Sequence, residues 1–185
     1  TGELLWDTTE WKVTMATVAS PVPVAGGRIF VSGGYGAGSA MIELRQQEGR
    51  IEASILWRLK QEQFGSEQQT PILYKDHIYG VIPGGGALVC LGLDGKVRWA
   101  SSGRNRFGLG PYIIADGILL VVSDNGTLSA VEASPAGFSL LWQFPLFEEG
   151  HETWAPLAIV DGRLIAREYH RVAAFDLRKE SYGGP

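Results

Sequence analysis

Four copies of one pattern constrain this chain more than any other feature. Each copy has a Pro, a short apolar run, a tight turn, a second apolar run and, further on, a Trp. The prolines are Pro21, Pro71, Pro111 and Pro156, spaced by 50, 40 and 45 residues. The tryptophans are Trp6, Trp57, Trp99 and Trp142, spaced by 51, 42 and 43. Five residues after each Pro the spacing places a turn, at Gly26-Gly27, Asp76-His77, Asp116-Gly117 and Asp161-Gly162. Gly and Asp tolerate the positive φ that two-residue hairpin turns need. A fixed period of this length is the mark of a repeat architecture, so the fold has to be read one repeat at a time.

The third copy reads as four strands. Tyr112-Ile113-Ile114 precedes the turn, and Ile118 to Val122 follows it as a β-branched run too short for a helix and apolar on both faces. After Asp124-Asn125-Gly126, Thr127 to Glu132 alternates polar and apolar, as a half-exposed strand does. Leu140 to Phe144 is the fourth strand. The second copy follows the same grammar through Ile78 to Ile82, Ala87 to Leu91 and Lys96 to Trp99. In the fourth copy Leu157 to Val160 and Arg163 to Ala166 flank the turn, Arg171 to Asp176 is a third strand, and no Trp strand follows. The first copy is looser, with a glycine-rich turn from Gly33 to Gly38.

No segment keeps a helical period, because Gly or Pro interrupts every candidate. The expected fold is all-β: a propeller of four-stranded antiparallel blades, about four in this chain, in a single domain spanning 1–185. The repeats are expected over 17–60, 68–101, 109–144 and 154–178. The chain also opens on an unattached strand at 3–7, Glu3 to Trp6. If that strand completes the last blade, four repeats close a small ring and hide two sheet edges. Otherwise they form half of an eight-bladed ring and continue into neighbouring blades. A chain that opens in mid-repeat, at Thr1, is expected to be a processed product or part of something longer.

Composition narrows the partners. With 45% hydrophobic and 19% charged residues the chain is globular rather than disordered. A net charge of -4, a pI near 5.4 and no basic run longer than a pair argue against nucleic acid and acidic membrane surfaces. No apolar stretch approaches the roughly 20 residues of a membrane span. The single cysteine, Cys90, sits in the run Ala87 to Leu91, so it forms no internal disulfide and no Cys-rich metal site, and reads as a small buried hydrophobe.

Pro, apolar run, Asp-Gly, apolar run, Ala-x-Asp and Gly-x-x-x-Trp together resemble the pyrroloquinoline-quinone-like propeller repeat. The motifs stand here as Gly2-Glu3-Leu4-Leu5-Trp6, Gly95-Lys96-Val97-Arg98-Trp99 and Ala174-Phe175-Asp176, with a degraded copy at Ala130-Val131-Glu132. The resemblance covers essentially the whole chain. It implies that Trp6, Trp57, Trp99 and Trp142 pack between neighbouring blades, that the ring usually has eight blades, and that the protein is periplasmic or extracellular. One branch of the family holds quinoprotein dehydrogenases, with the quinone and Ca²⁺ over the axis. The other holds cofactor-free scaffolds such as the propeller lipoprotein of the outer-membrane assembly machinery. The adjacent cysteines of the dehydrogenases have no match here, and neither does their Asn, Glu and Asp set for Ca²⁺. The expected function is therefore a non-catalytic scaffold without cofactor that presents inter-blade loops to a protein or polysaccharide. The alternative is a fragment of a dehydrogenase dependent on pyrroloquinoline quinone and Ca²⁺. Missing blades, or a second copy in a homodimer, would complete the ring.

Two connections between repeats carry the candidate binding residues. In Ser101 to Gly108, Arg104 and Arg106 flank Asn105 and precede Phe107, a combination that grips carboxylate or phosphate when it is not paired to nearby acids. In Phe147 to Trp154, His151 lies among carboxylates without a His-Glu-x-x-His spacing, and Trp154 breaks the Trp period two residues before Pro156. Arg104, Arg106, His151 and Trp154 are the candidate loop-binding set. No catalytic or metal residue is expected. His77 and His170 read as surface residues, and Gly84-Gly85-Gly86 leads into a strand rather than a phosphate-binding helix.

Overall fold

The structure is a computed structural model that describes residues 1–148 and 150–178. Among them are fifteen strands and no helix, arranged in four antiparallel sheets. The first sheet holds β1 (Val22–Val24), β2 (Arg28–Gly33), β3 (Gly38–Gln47) and β4 (Arg50–Leu59). The second holds β5 (Ile72–Tyr74), β6 (His77–Val81), β7 (Leu88–Gly92) and β8 (Val97–Ala100). The third holds β9 (Tyr112–Ala115), β10 (Ile118–Val122), β11 (Thr127–Glu132) and β12 (Leu140–Pro145). The fourth has only β13 (Ala158–Val160), β14 (Arg163–Arg167) and β15 (Val172–Asp176). Each strand pairs with the next in sequence, so every sheet is a simple meander. These are the blades of a β-propeller.

Alternation along each strand sends successive side chains to opposite faces, and both faces are used. Phe30, Met41 and Trp57 leave the first sheet toward Ile78, Val89 and Leu91 of the second. Tyr79, Val81 and Cys90 leave the other face of the second sheet toward Leu119, Val121 and Val131 of the third. Leu120, Val122 and Ala130 then meet Leu164 and Ala166 of the fourth. Three hydrophobic layers thus join four sheets in chain order. Among the described residues no buried cluster joins the fourth sheet to the first, and Val160 and Val172 on its outer face are exposed. The array is open, which is not the self-closed ring of four.

Three details depart from the sequence reading. The second hairpin turns at Lys75-Asp76, not Asp76-His77: both turn residues have positive φ and Tyr74 pairs with His77. A slip of one residue would turn Tyr79 and Val81 away from the third sheet, so packing selects this register. Residues Leu128 to Val131 are all buried, Ser129 included, because a sheet lies against each face of the strand. The Ser129 hydroxyl is satisfied by the Gln143 side-chain amide at 2.9 Å. Finally, Glu3 to Trp6 forms no strand. The arm that follows lies on the first sheet, where Arg58 donates to the Glu10 carbonyl at 2.9 Å and Val13 lies beside Gly33.

The outermost strand of one sheet also reaches the next. The Trp57 indole N–H donates to the Leu93 carbonyl at 3.1 Å, in the β7–β8 turn of the second sheet. Trp99 repeats this one sheet on, donating to the Ser134 carbonyl at 2.8 Å and packing edge-on against Phe138. Gly95 explains why the turn can receive the ring. Its φ is +78°, and an added Cβ would lie 3.0 Å from the Trp57 indole. Cys90 lies beneath Tyr79 in the same layer, and burial pushes its thiol up. Trp99→Ala would remove a large buried ring and leave the Ser134 carbonyl without its donor. We expect a loss of about 3–5 kcal/mol in a urea titration; an unchanged midpoint would contradict the inter-sheet role.

Candidate functional site

An antiparallel meander places certain loops at one end. The connections from one sheet to the next leave and enter there, and so do the turns between second and third strands. Around the second and third sheets these loops line an open cavity of about 720 Å³. Glu67 comes from the β4–β5 connection, Gly84 to Gly86 from the β6–β7 turn, Arg104 to Leu109 from the β8–β9 connection and Ser123 to Asn125 from the β10–β11 turn. Ser129 and Gln143 reach it from the third sheet.

The arginine loop is held at both ends. The Ser101 hydroxyl accepts from the Leu88 N–H at 2.9 Å and donates to the Asn105 carbonyl at 2.7 Å. Phe107 is buried in the layer between the second and third sheets, and its N–H donates to the Gly86 carbonyl at 2.7 Å. Arg104 and Arg106 therefore stand at the cavity on an anchored segment. Arg106 donates to the Gly85 carbonyl at 3.2 Å. Among the described residues no carboxylate forms an ion pair with either guanidinium.

Asp124 is the residue that the sequence did not single out beyond its turn. Its Oδ1 accepts from the Leu109 N–H at 2.9 Å and from the Trp154 indole N–H at 2.8 Å. Gly108 makes the first contact possible, since a side chain there would overlap the Asp124 carboxylate. The Trp154 carbonyl in turn accepts from the Gln69 side-chain amide at 2.7 Å. The Tyr112 hydroxyl donates to the Gln69 carbonyl at 3.4 Å, and burial pushes that hydroxyl above its ordinary pKa. Three inter-sheet connections, separated by up to 85 residues, are thus tied into one assembly. A signal was present in the sequence: Gln69, Leu109 and Trp154 each stand two residues before a repeat proline.

The four loop candidates are therefore split. Arg104 and Arg106 share the cavity with Asp124. Trp154 touches Asp124 but has already used its one polar donor there. His151 is exposed and does not line the cavity. Glu149 of the same connection lies outside the described residues. Among the described residues, no three His, Cys, Asp or Glu side chains come together as a metal site would require, and no helix is long and apolar enough to cross a membrane. Trp57 and Trp99 lie between sheets, Trp142 is 41% exposed, and Trp6 belongs to no strand. Asp124→Ala should cost about 1–3 kcal/mol in chemical denaturation by freeing two partly buried donors, with Asp124→Asn retaining part of the stability. Wild-type stability in Asp124→Ala would contradict the clamp.

Comparison with known proteins places this geometry in context. The family model described as outer membrane protein assembly factor BamB matches residues 1–106 and 84–180. No curated protein matches the chain in sequence. Among solved structures, BamB from Moraxella catarrhalis superposes with a TM-score of 0.56 at 16% identity, over 86% of this chain and 45% of that one. The computationally designed Ika4 protein superposes with a TM-score of 0.53 at 10% identity, over 93% of this chain and 100% of that one. At these identities the likeness is one of fold. The chain spans 45% of the length of the BamB structure it matches.

Proposed function

We propose that this chain, which belongs to the family of the outer membrane protein assembly factor BamB, is a non-catalytic propeller scaffold that binds an acidic segment of a protein partner. The observation that carries the reading is the pair Arg104 and Arg106, set beside a 720 Å³ cavity on a loop anchored at both ends. A guanidinium recognises a carboxylate through two parallel N–H donors, and a held loop loses little entropy on binding. The open, mixed polar and apolar lining and the Gly84 to Gly86 backbone suit an extended peptide more than a compact apolar ligand. The family's name supports a partner that is itself a protein and a place of action at the outer membrane, and the resemblance of the repeat to exported propellers supports the periplasmic side. A polysaccharide has less to support it, because Trp154, the candidate stacking ring, is half-buried and does not line the cavity.

The test is binding of a fluorescent peptide rich in Asp and Glu. We expect Arg104→Ala/Arg106→Ala to weaken it about tenfold or more while leaving the Tm near that of the parent chain. Added salt should also weaken it, as it does for exposed charge pairs. Equal affinity in the double variant would overturn the assignment. A neutral polysaccharide that bound instead, without salt dependence, would move the site away from the arginines.

The residues do not fit the dehydrogenase branch of the repeat family. Cys90 is the only cysteine and is buried in β7, and no carboxylate cluster is available to Ca²⁺ among the described residues. Pyrroloquinoline quinone with Ca²⁺ is expected to produce no shift in Tm, since a ligand stabilises only a fold that binds it. A saturable shift would contradict the non-catalytic reading.

A further inference from the structure

The cavity carries both signs of charge. Arg104 and Arg106 line it from the β8–β9 connection, and Glu67 lines it from the β4–β5 connection. The turn Gly84 to Gly86, which has no side chains to bar the way, belongs to the same lining. The other acid of the cavity, Asp124, is already engaged, since its Oδ1 accepts from Leu109 and from Trp154. Glu67 differs. Among the described residues its carboxylate forms no ion pair.

The segment that carries Glu67 is fixed on both sides. Phe64 is fully buried in the layer between the first and second sheets, and its carbonyl accepts from the Ser39 hydroxyl at 2.9 Å. Ser66 is buried, and its hydroxyl donates to the Gln69 carbonyl. The Gln69 side chain donates in turn to the Trp154 carbonyl at 2.7 Å. The Glu67 stem itself rests on Gly34, in the β2–β3 turn, where an added Cβ would overlap Glu67 Cγ and lie 3.0 Å from Glu67 Cα. Exposed ion pairs are weak because two free side chains must be immobilised and water screens them. A half-buried carboxylate on a seated stem reduces both losses.

We propose that the segment held by Arg104 and Arg106 also carries a Lys or Arg, about three residues from its Asp or Glu, and that Glu67 binds this cation. This specificity rests on the arginine site described above. The spacing follows from the architecture. The connection with Glu67 enters the second sheet and the one with the arginines enters the third, facing sheets lie about 10 Å apart, and extended chain rises about 3.3 Å per residue. Glu67 then sets which acidic segments are accepted. It repels a wholly acidic one and attracts one of mixed charge, so the effect of a single carboxylate changes sign with the ligand.

The test compares three fluorescent peptides. One has a single acidic pair, Asp then Glu, among neutral polar residues; the others add a Lys three residues before or three residues after that pair. One of the two Lys peptides should bind the parent chain about threefold to tenfold more tightly than the Lys-free peptide. Glu67→Gln should erase that gain, leave the Tm unchanged, and bind the Lys-free peptide at least as tightly as the parent chain does. A purely structural role for Glu67 would instead weaken all three peptides alike, and would overturn the proposal. A Lys gain that persists in Glu67→Gln would overturn it too. Lys-free binding that depends on Arg104 and Arg106, with no gain from Lys at either position, would overturn the role of Glu67 and leave the arginine site standing. Binding of none of the three would overturn both.

Discussion

Everything in this molecule rests on sheets that bury both faces. A sheet with both faces in water buries no apolar surface and has little to hold it together. Here each interior sheet is pressed from two sides, and the strands at its centre are buried on both faces as a result. The indoles of Trp57 and Trp99 add a directional element to a non-directional force. Each reaches from the outer strand of one sheet to a turn carbonyl of the next, fixing the angle at which the sheets meet. The loops at one end of the sheets are positioned by that fixed angle.

The loop end shows how this scaffolding reaches the candidate site. Asp124 stands in a turn of the third sheet, yet it holds the connections that enter both the third and the fourth. Gln69 extends the tie back to the connection that enters the second. The arginines are then displayed by a segment whose own backbone is spent on Leu88 and Gly86. Arg104 and Arg106 carry their positive charge on a segment held at both ends, and neither pairs with a carboxylate among the described residues. Arg45, Arg58, Arg98 and Arg178 all have carboxylate partners.

The repeat made the architecture legible, because Pro, turn and Trp mark the same positions in every copy. The strands, the sheet order and the buried Cys90 could all be read from that spacing. What escaped was whatever depends on a neighbouring sheet. Thr127 to Glu132 alternates in composition, but a second sheet buries its polar positions as well, with Ser129 satisfied by Gln143. The turn at Lys75-Asp76 lies one residue from where composition puts it, since the packing of Tyr79 decides the register. Asp124 looked complete as a turn residue, and nothing local in the sequence reveals that Trp154 lies beside it. The shared position of Gln69, Leu109 and Trp154, two residues before a repeat proline, marks where such ties occur, but the side chains they meet stay invisible until the sheets are assembled.

Strand-resolved hydrogen exchange tests most directly whether two-sided burial governs this fold. The longest hydrogen-bonded hairpin is β3–β4, with ten residues in each strand, but β4 is partly buried only at alternate positions. The central strands β7 and β11 are shorter and buried on both faces. If sheet-on-sheet packing dominates, β7 and β11 exchange most slowly and β4 much faster. Slowest exchange in β3–β4 would show that ladder length, not packing between sheets, sets the stability, and would contradict the central claim.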